Sequence, residues 1–159
     1  MNKQHQRPNQ PNPQRPSSET RQGSGHSDLP KIEFWADRER KIVNPDLFVS
    51  IAYTYSEKIS NDDKKKNKRS QIRKFYDEVI HYYDLLKGNK EIFPQLLPYI
   101  KLLRAKVYYS YGREHISKSF LNMIENCLNQ IQTYEDFEVF KNFFEAFMGY
   151  YRYHRPKDE

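Results

Sequence analysis

Cysteine is almost missing: Cys127 stands alone among 159 residues, which excludes a disulfide framework and any cysteine-built metal cluster. Glycine is scarce as well. Five glycines supply neither a P-loop nor a dinucleotide-binding turn, both of which need closely spaced glycines around a phosphate. No apolar run approaches the 18 residues or so that a membrane-spanning helix requires. The N-terminal residues lack the apolar core of a secretory signal. Together these absences predict a soluble, cytoplasmic protein with no membrane partner. Hydrophobic content is also low, at 36% with the aromatic residues included, and the mean hydropathy is −1.04. Aromatic rings compensate. Ten Phe, 13 Tyr and one Trp make up 15% of the chain, and each ring buries a large area on few rotatable bonds. So many rings exclude a chain that is disordered throughout.

The chemistry-bearing residues are few and dispersed. His5, His26, His81, His115 and His154 show no pair at metal-ligand spacing, so they read as surface or core side chains. Cys127 falls on an apolar helix face and reads as a small buried hydrophobe. Asp62-Asp63 sits beside a lysine run, where paired acids more often shape a loop than hold a cation. No catalytic residue, metal or cofactor is expected, and the chain reads as a non-enzyme.

Composition divides the chain in two. Residues 1–30 hold five of the nine prolines, with Met1 and Leu29 as their only aliphatic or thioether side chains. Such a segment buries too little to offset its ordering entropy. We therefore expect a disordered or extended tail over 1–43, in which Phe34 and Trp35 pin the last part to a helical domain over 44–155. Within that domain the apolar spacing of three and four predicts an all-α bundle of about five helices. Asn44-Pro45 opens the first, over about 45–59. Ser70 caps the second, which Gly88-Asn89 ends. The third starts near Phe93-Pro94, or as late as Leu97 because Pro98 intervenes, and stops at Gly112. The fourth covers about 117–131. The last, about 134–153, buries Phe144 and Phe147 and leaves Phe143 off the main stripe, facing a neighbouring subunit. No stretch alternates as a strand does.

Charge is concentrated in one place. Residues 64–74 (KKKNKRSQIRK) carry seven cationic side chains and no acid, against a formal net charge of +6 for the whole chain. The remainder is close to neutral, so the basicity is a local feature. Most charge runs are solvated surface. Here Arg69 and Arg73, four residues apart, project from one side of a helix. On the third helix Lys101 and Arg104 share one strip, and Lys106 and Arg113 another, with Tyr108 and Tyr109 between. Cations on rigid helices match the phosphates of a nucleic-acid backbone, and neighbouring tyrosines can stack on bases. A basic protein–protein adaptor is the competing reading.

The stretches SQIRKFYDEV (70–79), LLPYIKLLRAKVYYSYGR (96–113) and FEVFKNFFEAFMGYYRYH (137–154) resemble the Csm-type small subunit of type III-A CRISPR effector complexes. The resemblance runs from about Asn44 to His154 and leaves the Gln/Pro-rich N-terminal segment outside. It implies a helical, non-catalytic subunit of an antiviral ribonucleoprotein, stacked in multiple copies of itself beside the other Csm subunits. It further implies backbone contacts to guide and target RNA. Carried onto this sequence, the contact residues are Lys68, Arg69, Arg73 and Lys74 in the first motif. Lys101, Arg104, Lys106 and Arg113 follow in the second. A purely structural spacer, held by protein contacts alone, is the alternative.

Overall fold

A computed structural model describes residues 29–157; the tail reading for 1–28, with His5 and His26, lies outside the described residues. The helices are α1 (Ala52–Ser60), α2 (Arg69–Lys87), α3 (Phe93–Lys101), α4 (Leu103–Gly112), α5 (Lys118–Gln130) and α6 (Tyr134–His154). The all-α bundle expected from the sequence is what forms. Two boundaries differ in kind. A π-helical turn, Leu47–Ile51, precedes α1, and Asn44 acts one step earlier than a helix cap, accepting the Asp46 N–H on its side-chain oxygen at 3.1 Å. The expected third helix is two, α3 and α4, separated at Leu102, whose N–H is shared between Pro98 O at 3.0 Å and Tyr99 O at 3.1 Å. Pro98 itself stays inside α3.

α6 is the centre of the bundle. Thr133 and Asp136 form a reciprocal capping box at its start, which satisfies two end N–H groups at once. From there a ladder of rings runs down the helix. Phe140 stacks on Phe144 at 5.8 Å, Phe144 meets Phe147 at 5.9 Å, and Phe147 stacks on Tyr151 at 5.3 Å. Phe120 of α5 packs on both Phe144 and Phe147, and links them to Phe75 of α2. Phe143 is fully buried too. The sequence reading that turned it toward a neighbouring subunit is corrected: α1, α2 and the π turn all pack on α6, so its apolar surface is wider than one stripe.

In its described part, 29–43, the N-terminal segment is extended and held against the helices. β1 (Trp35–Asp37) and β2 (Ile42–Val43) pair antiparallel across a turn in which Lys41 has φ 55°. The pair is too short for alternation to mark it in the sequence. Phe34 is fully buried. Its N–H donates to Gln130 Oε1 at 3.0 Å, and Gln130 Nε2 donates to Ile32 O at 2.8 Å. Trp35 Nε1 and Arg38 Nη2 each donate to Asp136 at 2.7 Å, and the Gln132 and Thr133 amides add bonds at 3.0 and 2.9 Å.

That arrangement makes Asp136 a pH-sensitive fastening. Burial pushes its carboxyl up, but the bonds from Trp35, Gln132, Thr133 and Arg38 outweigh burial and hold it below the ordinary 3.8. A depressed carboxyl contributes stability that is present above its unfolded value and lost as pH falls through the folded one. We expect the urea midpoint of the parent to fall below pH 3.8 more steeply than that of Asp136→Asn. Superimposable acid limbs for the two would contradict this.

Candidate nucleic-acid interface

The lysine-rich loop between α1 and α2 is not a loose coil. Asp63 Oδ1 accepts the Lys65 N–H at 2.9 Å, and Asp62 pairs with Lys58 at 2.9 Å, so the acids shape the loop. Asn67 anchors it from below. This residue is fully buried with φ 55°, a left-handed conformation that Asn tolerates better than most residues. Its Nδ2 donates to Ile59 O at 3.1 Å and Ser117 Oγ at 2.9 Å, while its Oδ1 accepts the Ser117 N–H at 2.7 Å. Tyr151 Oη donates to the Asn67 carbonyl. Arg155, also buried, donates to the carbonyls of Lys64 at 2.5 Å, Lys66 at 2.7 Å and Asn67 at 3.2 Å. The loop is thereby clamped to the end of α6.

α2 begins at Arg69, with Lys68 at the cap position and Ser70 inside the first turn; no side-chain cap bond is made. The reading of Ser70 as the cap is corrected by two residues, to Lys68, because Asn67 already fixes the chain's entry. With no acid in the first turn, the positive end of the α2 dipole adds to the lysines.

Between α2 and α6 lies an open groove of about 640 Å³. Arg69 and Arg73 line it from α2, Arg152 from α6, and Tyr76 and Met148 form its apolar side. Arg73 pairs with Asp77 at 2.6 Å in an exposed i,i+4 arrangement and lies 5.6 Å over the Tyr76 ring. An exposed pair of this kind is worth only a few tenths of a kcal/mol and yields easily to a phosphate. Burial, with Glu145 adding to it, raises the Tyr76 phenol above 10.0, so the hydroxyl remains a neutral donor. Arg152 is exposed and has no ion-pair partner among the described residues. Sequence reasoning missed it. A cation in a helix's last turn normally reads as a dipole partner, and only the packing of α2 beside α6 gives it two arginine neighbours.

Lys68 and Lys74 are exposed. Lys74 lies one turn before Glu78, the 2.5 Å partner of Lys106, and so faces the α4 side of α2. Arg113 is exposed at the end of α4, donating to Tyr109 Oη at 3.0 Å with its guanidinium 5.6 Å from that ring. Lys101 and Arg104 are engaged elsewhere. Lys101 Nζ donates to the Leu128 carbonyl, and burial, aided by Arg104, lowers its ammonium below 10.5. Arg104 donates to Asn129 and pairs with Glu125 at 2.7 Å. Lys101 thus supplies a donor to a carbonyl at the C-terminal end of α5, where a helix needs one, and Arg104 is held beside it by side chains of the same helix. The structure brings Arg69, Arg73 and Arg152 together in one groove, with Lys68 exposed at the start of α2 and Lys74 on the α4 side of that helix. The α4 cations lie on a separate strip.

Cys127 is fully buried, and burial pushes its thiol far up, which removes thiolate chemistry at neutral pH. No group of three metal-ligating side chains occurs among the described residues. No helix there is long and apolar enough to cross a membrane.

A family model described as Csm2 Type III-A matches residues 44–157. A relative from Streptococcus thermophilus named "CRISPR system Cms protein Csm2" is 31% identical over 91 residues, covering 56% of this chain and 74% of the relative. No solved structure matches the chain.

Proposed function

The chain belongs to the Csm2 Type III-A family, the small subunits of type III-A CRISPR complexes, and we propose that it grips RNA backbone within such a complex without catalysing a reaction. The observation that carries this is the convergence of Arg69, Arg73 and Arg152 on one groove beside the clamped lysine loop. Guanidinium forks held on two rigid helices recognise phosphates bidentately. Lys68 and Lys74 extend the grip on either side, Lys106 and Arg113 offer a further strip on α4, and Lys101 and Arg104 support the helices that carry it. The helical part, 44–155, is the working unit, stacked in several copies beside the other subunits. Guide and target strands are both candidates for the groove, since the contacts need no particular base.

Phosphates carry no sequence information, and in RNA-guided complexes base pairing does the reading. Unrelated single-stranded RNAs of equal length are therefore expected to bind within about a factor of two of one another, measured by anisotropy at one fixed salt concentration. A strong preference for one sequence would contradict a backbone grip. A parent protein that binds none of them at low salt would leave the spacer reading.

A further inference from the structure

We infer that a second pocket, at the C-terminal end of α6, continues the α2–α6 groove into one track for single-stranded RNA, with an unpaired base stacked on Tyr153. This rests on the reading of the groove as an RNA grip and names the form of RNA it takes. The second pocket, of about 260 Å³, lies where the ends of α1 and α6 meet the lysine loop, lined by Ser60, Asn61, Lys64, His154, Pro156 and Lys157 among others. The two cavities share a wall. Arg69 lines the first, Pro156 lines the second, and Arg69 Nη1 donates to Pro156 O at 2.6 Å. Lys64 and Lys157 are exposed at the second pocket, so cationic side chains run through both.

Beside this pocket the aromatic side chains form a row. Tyr150 meets Tyr53 at 5.5 Å, Tyr53 meets His154 at 4.7 Å, and His154 meets Tyr153 at 5.1 Å, each edge to face. The inner rings are partly covered, while Tyr153 is 75% exposed. The outer ring has an edge contact with His154 and leaves most of its surface open. The His154 Nε2 is buried with no hydrogen-bond partner among the described residues, and it lines the pocket that the phosphate or ribose of a passing strand would enter. A protruding ring beside a basic pocket suits bases that are free to splay out. Bases in a duplex are stacked and shielded from such a ring.

The test uses the full chain with a short fluorescein-labelled RNA, single-stranded or annealed to its complement, in anisotropy titrations. The single strand is expected to bind more tightly than the duplex. Tyr153→Ala is expected to weaken single-strand binding about tenfold with unchanged melting temperature, and Tyr153→Phe to retain the parent affinity. Lys157→Ala is expected to flatten the log–log salt dependence by roughly 0.7. Tyr153→Ala binding like the parent, or a duplex bound as tightly as the single strand, overturns the track. If the paired change Arg73→Ala with Arg152→Ala still costs affinity in that case, the groove survives without the track. A parent that binds no RNA removes both.

Discussion

Replacing Phe144 by alanine is expected to lower the unfolding free energy by about 3–5 kcal/mol, the range for truncating a well-packed phenylalanine. Phe144 is fully buried and touches rings on three helices. Phe140 and Phe147 flank it on α6, Phe120 approaches at 6.2 Å from α5, and Tyr76 meets it edge-on at 5.6 Å from α2. Aromatic rings so interlocked cannot collapse into the space a lost ring leaves, so the cavity penalty stays near its maximum. Since small domains are stable by only about 5–15 kcal/mol, the variant is near the edge of folding. Phe143→Ala is expected to cost a comparable amount, since that ring is equally buried. Urea titrations of both variants check this. A loss below about 1 kcal/mol for Phe144→Ala would mean that the ladder does not hold the bundle.

Asn67→Ala is expected to cost about 3 kcal/mol, from two separable causes. Truncation leaves the Ser117 N–H and the Ile59 carbonyl without their side-chain partner, and a buried unsatisfied group costs about 1–3 kcal/mol. Alanine also resists the left-handed backbone at φ 55° by roughly 1–2 kcal/mol. Asn67→Gly removes the same hydrogen bonds but accepts the backbone conformation, so it should fall between parent and alanine variant. The lysine loop should loosen in both variants, because the side-chain bonds from position 67 to Ile59 and Ser117 are lost and only the backbone carbonyl's bonds from Tyr151 and Arg155 still hold it. Chemical denaturation gives the stability order. Equal stabilities for alanine and glycine variants would contradict the backbone contribution.

How much of this was legible in the sequence depended on the range of the interaction involved. Helix positions were readable, because the 3.6-residue recurrence of Ile72, Phe75 and Val79 or of Phe137, Phe140 and Phe144 is local. The hairpin was not, since its strands are three and two residues long and Phe34 is held by Gln130, 96 residues away. Phe143 was misread because helical spacing marks the strongest stripe and says nothing about how many neighbours surround a central helix. The arginine pair on α2 was visible at i,i+4. Arg152 was not, because its membership depends on α6 lying beside α2. Lys101 and Arg104 resemble Lys106 and Arg113 as letters, and only packing against α5 separates them. Asn67, in the middle of KKKNKRS, carried a faint signal: a lone Asn in a charged loop just ahead of a helix suits a left-handed turn.

The central claim is that the groove between α2 and α6 holds RNA by its phosphates. The most direct test is an equilibrium titration of one single-stranded RNA over a salt series, comparing the parent with the combined Arg73→Ala, Lys74→Ala and Arg152→Ala changes. These side chains are exposed, so the variant should melt like the parent. With three phosphate contacts removed, the slope of log affinity against log salt should flatten by about 2, at roughly 0.7 per contact for a single strand, and affinity at low salt should fall accordingly. Unchanged affinity and slope in a variant that is folded would contradict the claim and favour a spacer held by protein contacts alone.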